Sequence, residues 1–191
     1  MNDPIAQLAG WLDDAGGCES VEAVAMCLAT ADRSGNPSAR IVLLRGIDER
    51  GLRFFTSYGS RKAQQLAENP RAAAVLYWRG LERQVRIEGR IEMLGEDESD
   101  AYFNARPRGH RIAAWASEQS EPLEAYDVLE ARFAHFDERF EGAAVPRPHS
   151  WGGYLLRPSR IEFWHGRANR MHERTLYVHV DGSWQRSMLQ P

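Results

Sequence analysis

The most regular pattern of apolar and polar residues in the chain runs from Arg83 to Met93. Val85, Ile87, Ile91 and Met93 are apolar, and glutamine, arginine and glutamate occupy positions between them. Successive side chains of a β-strand point to opposite faces of a sheet, so this period of two predicts a strand with one buried and one polar face. We expect the four apolar side chains to lie in the core.

Shorter apolar runs, separated by turn residues, predict the other strands. Turns are expected at Ser34–Pro37, Glu49–Gly51 and Asp181-Gly182, and Pro158-Ser159 is interpreted as a turn that divides two strands. Connections this short join antiparallel neighbours, because parallel strands need a long crossover. The predicted strands are Ala25–Thr30, Ala39–Ile47, Leu52–Thr56, Ala72–Trp78, Tyr154–Leu156, Ile161–Trp164, Leu176–Val180 and Ser183-Trp184.

Helices are predicted from capping residues and from apolar positions three and four apart. Asp3 and Pro4 start an amphipathic helix that Gly16-Gly17 ends, and Ser60 caps a helix that Asn69-Pro70 ends. Two short helices are predicted at residues 96–105 and 109–116, and a longer one at residues 123–140. The stripe assigned to the core on the longer helix is Tyr126, Leu129, Phe133, Phe136 and Phe140.

These antiparallel strands, interrupted by short helices, predict an α+β fold, a closed or partly closed β-barrel with peripheral helices. The 191 residues fit one domain and contain no repeat, low-complexity segment or linker. The opening residues 1–20 are expected to form a helix packed on this domain.

Composition narrows the possible functions. A net charge of -3 argues against a general nucleic-acid or membrane-surface binder. Apolar runs are too short to span a membrane and the N-terminus lacks a signal pattern, so we expect a cytoplasmic protein. Cys18 and Cys27 are expected to be free thiols, and no cluster has the spacing of a metal site. The motifs GxGxxG, GxxxxGKS/T and GxSxG are absent, so dinucleotide-binding, P-loop and hydrolase readings have no support.

Lys62 is the only lysine, and it lies with Arg61 in the first turn of the helix that Ser60 begins. Cations there oppose the helix dipole, whereas an anion such as a phosphate would bind both cations and the free backbone N–H groups. The pair therefore indicates a phosphate site, with ordinary surface charge as the alternative.

A second basic group follows the strand that ends near Gly166. Arg167, Arg170, His172 and Arg174 come within eight residues and are typical of the rim of an anion-binding pocket, with a solvated basic loop as the alternative. Arginines, amides and aromatic rings elsewhere in the chain suit two phosphorylated or otherwise anionic ligands. These residues alone do not identify a reaction.

Several longer sequence motifs, which occur in a characteristic order, indicate the family more specifically. The runs are RIVLLR, FTSYGSRKAQQLAENP, RQVRIEG, YFNARPRG, AAWASEQS, WGGYLLRPSRIEFWHGR and RMHER. In this order, and over almost everything from about Ala25 to Pro191, the chain resembles the pyridoxamine 5'-phosphate oxidase family. The resemblance implies an FMN-binding split barrel that works as a homodimer with FMN at the subunit interface, and residues 151–191 would complete the site.

The resemblance also implies a reaction. Pyridoxamine or pyridoxine 5'-phosphate would be oxidised to pyridoxal 5'-phosphate, with hydride passing to FMN and molecular oxygen reoxidising it to give hydrogen peroxide. Alternatives are a related FMN-dependent oxidase of the phenazine-biosynthesis type, a flavin- or B6-phosphate-binding protein with little turnover, and a Schiff base on Lys62. The phosphate contact suits Lys62 better than a Schiff base, because it starts a helix beside Arg61.

Site residues follow from the resemblance position by position. Arg61 and Lys62 would hold the FMN phosphate, and Tyr102 and Arg106 the substrate phosphate. The implied FMN contacts are Arg40, Ile41, Val42, Leu43, Leu44, Arg45, Phe55, Thr56, Arg61, Lys62, Gln84, Gln119, Ser120, Trp164 and Arg174. The implied substrate contacts are Arg45, Tyr102, Arg106, His110, Arg170, Met171 and His172, with Arg170 and His172 as the catalytic pair over the pyridine ring.

Three positions depart from the family pattern. Arg45 replaces the usual lysine, His110 the usual serine and His165 the usual glutamine. Arginine keeps the charge of lysine but not its geometry, and His110 would bring a titratable ring near the substrate phosphate. The family's N-terminal segment that helps to cover the substrate is also expected to be missing.

Overall fold

The computed structural model describes residues 3–17 and 20–191, so the prediction for Cys18 lies outside the described residues. One antiparallel sheet dominates it, in the order β2-β1-β5-β6-β7-β4-β3, with β8 paired to β7 and β9 to β8. The strands are β1 Ala25–Ala31, β2 Pro37–Leu43, β3 Gly46–Asp48, β4 Gly51–Ser57, β5 Arg71–Trp78, β6 Arg83–Met93, β7 Trp151–His165, β8 Glu173–Val180 and β9 Ser183–Leu189.

Within residues 3–17 and 20–191, six α-helices lie around the sheet. They are α1 Pro4–Asp14, α2 Val21–Val24, α3 Arg61–Glu68, α4 Glu96–Ala105, α5 Arg108–Ala116 and α6 Tyr126–Arg139, with short 3-10 turns at Arg79–Leu81 and Ala168–Arg170. Asp3 caps α1 as expected, because its Oδ1 accepts hydrogen bonds from the backbone N–H groups of Ile5 and Ala6. In the described parts of the chain, every helix is too short or too polar to cross a membrane.

Strand β7 divides the sheet. Its first half pairs with β4 as far as Leu156, and its second half pairs with β8 from Arg160 onward. β6 accompanies it on the other side throughout, with a register shift between Glu88 and Gly89. Gly89 pairs with Pro158 and Glu88 with Arg160, so Ser159 is an extra residue that forms a bulge. At this bulge the neighbour of β7 changes from β4 to β8.

Two apolar clusters form the core. The larger one fills the concave side of the sheet with residues that alternate along β1, β5, β6 and β7, and α1 covers it. Phe103, Ile112, Val145 and Trp151 form the smaller one, beneath α4, α5 and α6. The second cluster packs at the Trp151 end of β7, which places three helices beside that end of the sheet.

The structure confirms the strand over Arg83–Met93, the hairpin at Asp181-Gly182 and the antiparallel pairing, and the described residues form a sheet of nine strands. The predicted strand Ala39–Ile47 divides after Leu43 into β2 and β3. The turn predicted at Pro158-Ser159 is wrong, because these residues form the bulge inside β7.

Two side-chain predictions are also wrong, and a third holds only in part. Met93 is 61% exposed, because the chain turns at the end of β6 and Leu94 points inward instead. Ser60 precedes α3 but does not cap it: its hydroxyl donates to the Ser57 carbonyl. The stripe on α6 holds in part: Phe133, Phe136 and Phe140 pack against the smaller core, but no residue of the helix is fully buried and Tyr126 is 70% exposed.

We expect Gly89→Ala to destabilise the protein, because a Cβ on Gly89 would overlap the carbonyl oxygen of Arg157 in the bulge. A clash with rigid backbone in a packed sheet should lower the free energy of unfolding by about 2–3 kcal/mol. Urea denaturation measures this directly. Gly80→Ala is the matched control, since a Cβ there meets nothing within 4 Å, and equal stability of the two variants would contradict the prediction.

Candidate functional site

Lys62 is a buried cation at the start of α3. Its side chain donates from Nζ to Thr56 Oγ1 at 2.9 Å, to Ser60 Oγ at 3.0 Å and to Gln119 Oε1 at 3.2 Å. The residue is 6% exposed. All three acceptors are uncharged, so the ammonium group is satisfied in hydrogen bonds but not neutralised.

The electrostatic consequence appears in the pKa of Lys62. Burial, reinforced by the nearby charge of Arg40, lowers that pKa from 10.5 to about 8. Desolvation and like charge both favour the neutral amine, whereas a bound anion would favour the ammonium form. The site is therefore arranged to gain from binding an anion.

Arg40 extends the same basic group from β2. It donates to the Leu28 carbonyl at 3.1 Å, to Thr30 Oγ1 at 2.7 Å and to Ser38 Oγ at 2.5 Å. Burial, followed by the charge of Arg61, lowers its pKa. Gln65 of α3 accepts from both hydroxyls, which fixes the acceptors that hold Arg40.

The start of α3 is suited to a phosphate. No side chain caps the helix, and Arg40, Arg61 and Lys62 are near enough for their charges to interact. Free backbone N–H groups and a positive dipole end add to these cations. The residues present therefore fit the phosphate of a cofactor, as the sequence predicted for Arg61 and Lys62.

A second group surrounds a cavity of about 220 Å³ beside the smaller core, lined by Arg45, Tyr102 and Phe55 among others. The Phe55 and Tyr102 rings are stacked, with centroids 3.9 Å apart and planes 12° apart, and Trp151 is nearly parallel to both. The guanidinium of Arg106 lies 4.5 Å above the Trp151 ring. These contacts hold Tyr102 and Arg106 beside one another.

Arg106 has unused capacity for an anion. Burial lowers its pKa, Tyr102 acts in the opposite direction, and the charge of Arg45 lowers it further. Its Nη1 is buried and has no hydrogen-bond partner among the described residues. A buried donor without a partner is costly, so a second anionic ligand would satisfy it.

The third group is a row across the outer face of the sheet. Gln84 of β6, Trp164 of β7 and Arg174 of β8 lie directly opposite one another. The His172 ring lies 4.6 Å from the Trp164 ring, and Nδ1 of His172 accepts a hydrogen bond from the backbone N–H of Arg167 at 3.2 Å. The resemblance placed all four side chains in the site, and the fold brings them together.

The loop between β7 and β8 has an unusual backbone. Asn169 and Arg170 have φ angles of 57° and 60°. Consecutive non-glycine residues in the left-handed region are strained, and such strain is concentrated at functional sites. The loop presents Arg170 and the exposed Met171 beside His172.

The third group lies far from the first two along the strand that connects them. Thr56 and Phe55 pair with Gly152 and Gly153 near the start of β7, whereas Trp164 lies near its end. At about 3.3 Å per residue, the path from Trp151 to Trp164 is up to about 43 Å long. One copy of the chain therefore presents the predicted site in two separated parts.

The remaining predicted positions occupy different environments. Leu44 is fully buried in the core, so only its backbone can face a ligand, whereas Ile41 is 63% exposed on the outer face. His110 is exposed on α5. Ser120 has a φ of 76°, just after Gln119, which contacts Lys62. Val42 and Leu43 are partly buried against the core.

Sequence reasoning missed Glu162, which binds Arg174 through its Oε1 at 2.8 Å. It also missed Arg53, which lines the cavity with Arg45. A polar residue inside an otherwise apolar strand was the available indication for Glu162. In the part of the chain that the structure describes, no cluster of acidic, histidine or cysteine residues could hold a metal ion.

Two family models match the chain. The model described as "Pyridoxamine 5'-phosphate oxidase" matches residues 20–140, and "Pyridoxine 5'-phosphate oxidase C-terminal dimerisation region" matches residues 151–191. The chain belongs to the pyridoxamine 5'-phosphate oxidase family. Relatives named pyridoxine/pyridoxamine 5'-phosphate oxidase include one from Rubrobacter xylanophilus, 54% identical over 99% of this chain and 87% of the relative. Another, from Ralstonia pickettii, is 53% identical over 98% and 89%.

Solved structures show the same fold. PhzG from Burkholderia lata, solved with tetrahydrophenazine-1-carboxylic acid, is 35% identical with a TM-score of 0.94 over 100% of this chain and 94% of that one. A pyridoxamine 5'-phosphate oxidase-related, FMN binding protein from Nostoc punctiforme has a TM-score of 0.75 at 20% identity, over 98% and 96%. The predicted fold class, an antiparallel split barrel with peripheral helices, is confirmed.

For the protein freed of bound anions, we expect the free energy of unfolding to rise with pH above about 8. The folded chain releases the Lys62 proton from about pH 8, whereas the unfolded chain keeps it to about 10.5. The unfolded state therefore binds more protons in this window, which adds a slope of at most about 1.4 kcal/mol per pH unit. Lys62→Met should remove this slope, as measured by urea denaturation between pH 7 and 9.5.

Arg61→Met is the control, because it removes a neighbouring cation that does not titrate in this range. It should keep the wild-type slope. If Lys62→Met and wild type show parallel profiles, the lowered pKa of Lys62 is disproved.

Proposed function

We propose that the chain is an FMN-dependent oxidase that converts pyridoxamine or pyridoxine 5'-phosphate to pyridoxal 5'-phosphate, with molecular oxygen as acceptor and hydrogen peroxide as product. The observation that carries the proposal is the presence of two separate basic groups, around the buried Lys62 and the half-buried Arg106, whose cations have no anionic partner among the described residues. Two phosphorylated ligands, a cofactor and a substrate, account for both groups. Membership of the family specifies which cofactor and which substrate.

The first group holds the cofactor. Arg40, Arg61, Lys62 and the N-terminus of α3 bind the FMN phosphate, and Gln119 and Thr56 keep Lys62 in place. FMN, once bound, supplies the electron-accepting ring that takes hydride from the substrate and is reoxidised by oxygen. Because Arg40 and Lys62 are already held by uncharged acceptors, these two side chains need little reorganisation when the phosphate arrives.

The second group holds the substrate. Tyr102 and Arg106 bind its phosphate, and Arg45, which lies between β2 and β3, lines the same cavity. Stacking on Phe55 fixes the Tyr102 ring, so its hydroxyl is aimed by packing instead of by a flexible loop. Holding both ligands still is the chief contribution of the protein to such a reaction.

Arg170 and His172 act on the substrate from the third group, while Gln84, Trp164 and Arg174 face the cofactor. Since these residues are separated from the first two groups along β7, we propose that they come from a second copy of the chain. The match of residues 151–191 to a dimerisation region supports a homodimer. Exposed apolar side chains on the same outer face, Ile41 and Tyr77, also support it.

We further propose that the whole chain acts as one FMN-binding domain completed by residues 151–191. It would act in the cytoplasm, in the formation of pyridoxal 5'-phosphate, on a small-molecule substrate and without a nucleic-acid or membrane partner. The balanced surface charge of the chain supports the last point.

A competing substrate class needs a direct comparison, because PhzG shares the fold closely and was solved with tetrahydrophenazine-1-carboxylic acid. Relatives at 53–54% identity favour the B6 phosphates over the phenazine compound. The test is peroxide release by the FMN-loaded protein with pyridoxamine 5'-phosphate, pyridoxine 5'-phosphate and a tetrahydrophenazine carboxylate. We expect turnover of at least one B6 phosphate. Turnover of the phenazine compound alone would contradict the proposal.

Arg170→Ala should chiefly reduce turnover and leave FMN bound, since Arg170 is assigned to the substrate. Loss of one cation over the reacting ring should lower kcat/KM about 100-fold. Steady-state peroxide assays and flavin absorbance measure the two effects separately. Arg167→Ala is the control, because its side chain pairs with Glu173 at 2.9 Å in the same loop. Unchanged kinetics of Arg170→Ala would remove that residue from the site.

A further inference from the structure

Glu162 is the one buried carboxylate within residues 3–17 and 20–191. It lies on the outer face of β7, two residues before Trp164, and is 4% exposed. Its Oε1 accepts from Nε of Arg174 at 2.8 Å and lies 2.8 Å from Nη2 of the same side chain. Its Oε2 accepts from Nη1 of Arg86 at the longer distance of 3.3 Å.

The two arginines are not equivalent. Arg174 contributes two nitrogens to one oxygen of Glu162, and its remaining Nη1 donates to the Gln190 carbonyl at 3.0 Å. Its hydrogen bond with Glu162 raises the pKa of Arg174. A planar guanidinium held at all three nitrogens has one orientation, whereas a free arginine side chain samples many. Arg86 makes the single longer contact and is more exposed.

Orientation matters at this position. Arg174 lies directly opposite Trp164 in the row that also contains Gln84. A binding site gains affinity when its side chains are already fixed in the bound arrangement, because less conformational entropy is lost on binding. Glu162 is therefore placed to fix the Arg174 side chain, which belongs to this row, without contacting a ligand itself.

We propose that Glu162 is a positioning residue for the cofactor: it holds the Arg174 guanidinium in the orientation that FMN requires. The inference rests on the proposed function, which assigns Arg174 to FMN. Charge alone predicts the opposite effect. Glu162, Arg86 and Arg174 together carry one positive charge, and removing the carboxylate raises this to two, which would favour an anionic ligand.

The test is the dissociation constant of FMN, measured by flavin fluorescence on protein from which the cofactor has been removed. We expect Glu162→Gln to weaken FMN binding about tenfold, in line with the loss of a charged hydrogen bond. Arg174→Gln should weaken it as well. In the double variant, Glu162→Gln should add nothing further, because the residue it positions is gone.

Glu88→Gln is the matched control. Glu88 lies on the same face of β6 in an exposed ion pair with Arg160 at 3.7 Å, and its loss should leave FMN affinity unchanged. Thermal unfolding of each cofactor-free variant shows whether it folds. If Glu162→Gln does not fold, Glu162→Asp replaces it, since the shorter carboxylate keeps the charge but loses the contact.

The possible outcomes distinguish a failure of the proposed function from a failure of the role assigned to Glu162. Wild-type protein that does not bind FMN overturns the proposed function and this inference with it. Wild-type protein that binds FMN, together with equal or tighter binding by Glu162→Gln, overturns the inference alone. So does an undiminished effect of Glu162→Gln in the Arg174→Gln background.

Discussion

The rest of this structure depends on one electrostatic constraint: the ammonium group of Lys62 is buried without a negatively charged partner among the described residues. Lys62 is surrounded by Thr56, Ser60 and Gln119, which supply hydrogen bonds but no negative charge. Burying a cation in this way is unfavourable unless an anion completes the site. The first turn of α3, the end of β4 and the segment after α5 converge on this one group. Their convergence makes sense as the preparation of a phosphate site.

The bulge in β7 separates the groups of the candidate site between the two ends of that strand. It lets a single strand pair with β4 at one end and β8 at the other, so the sheet curls and the two ends of β7 belong to different surroundings. The basic groups around Lys62 and Arg106 lie at one end, and the row containing Trp164 and Arg174 lies at the other. If both ends of β7 contribute to one site, as we propose, a second copy of the chain completes it.

Much of the local structure could be predicted because it depends on neighbouring residues. The alternation over Arg83–Met93 gives the bounds of β6, and Asp3 begins α1 through its own carboxylate. The bulge could not be predicted, since it depends on Gly89 lying opposite Pro158. The sequence around Pro158-Ser159 is typical of a turn when only neighbouring residues are considered.

The candidate site likewise combines features set by neighbouring residues with features set by residues distant in the sequence. The position of Arg61 and Lys62 at a helix start is local, so the helix dipole alone indicated a phosphate there. The burial of Lys62 depends on Gln119, 57 residues away, and the proposed role of Glu162 depends on Arg174, which lies on the neighbouring strand β8. The resemblance supplied the residue roles, while the structure supplied the contacts that explain them.

Subunit complementation tests the central claim, a site shared between two copies, most directly. One chain carries Arg106→Ala and the other Arg170→Ala, and each is expected to have little activity alone. After mixing and subunit exchange, half of the dimers should be mixed, each with one intact site, which restores about one quarter of wild-type peroxide release. If both residues act within one chain, the mixture will stay as inactive as its components, and the shared site will be contradicted.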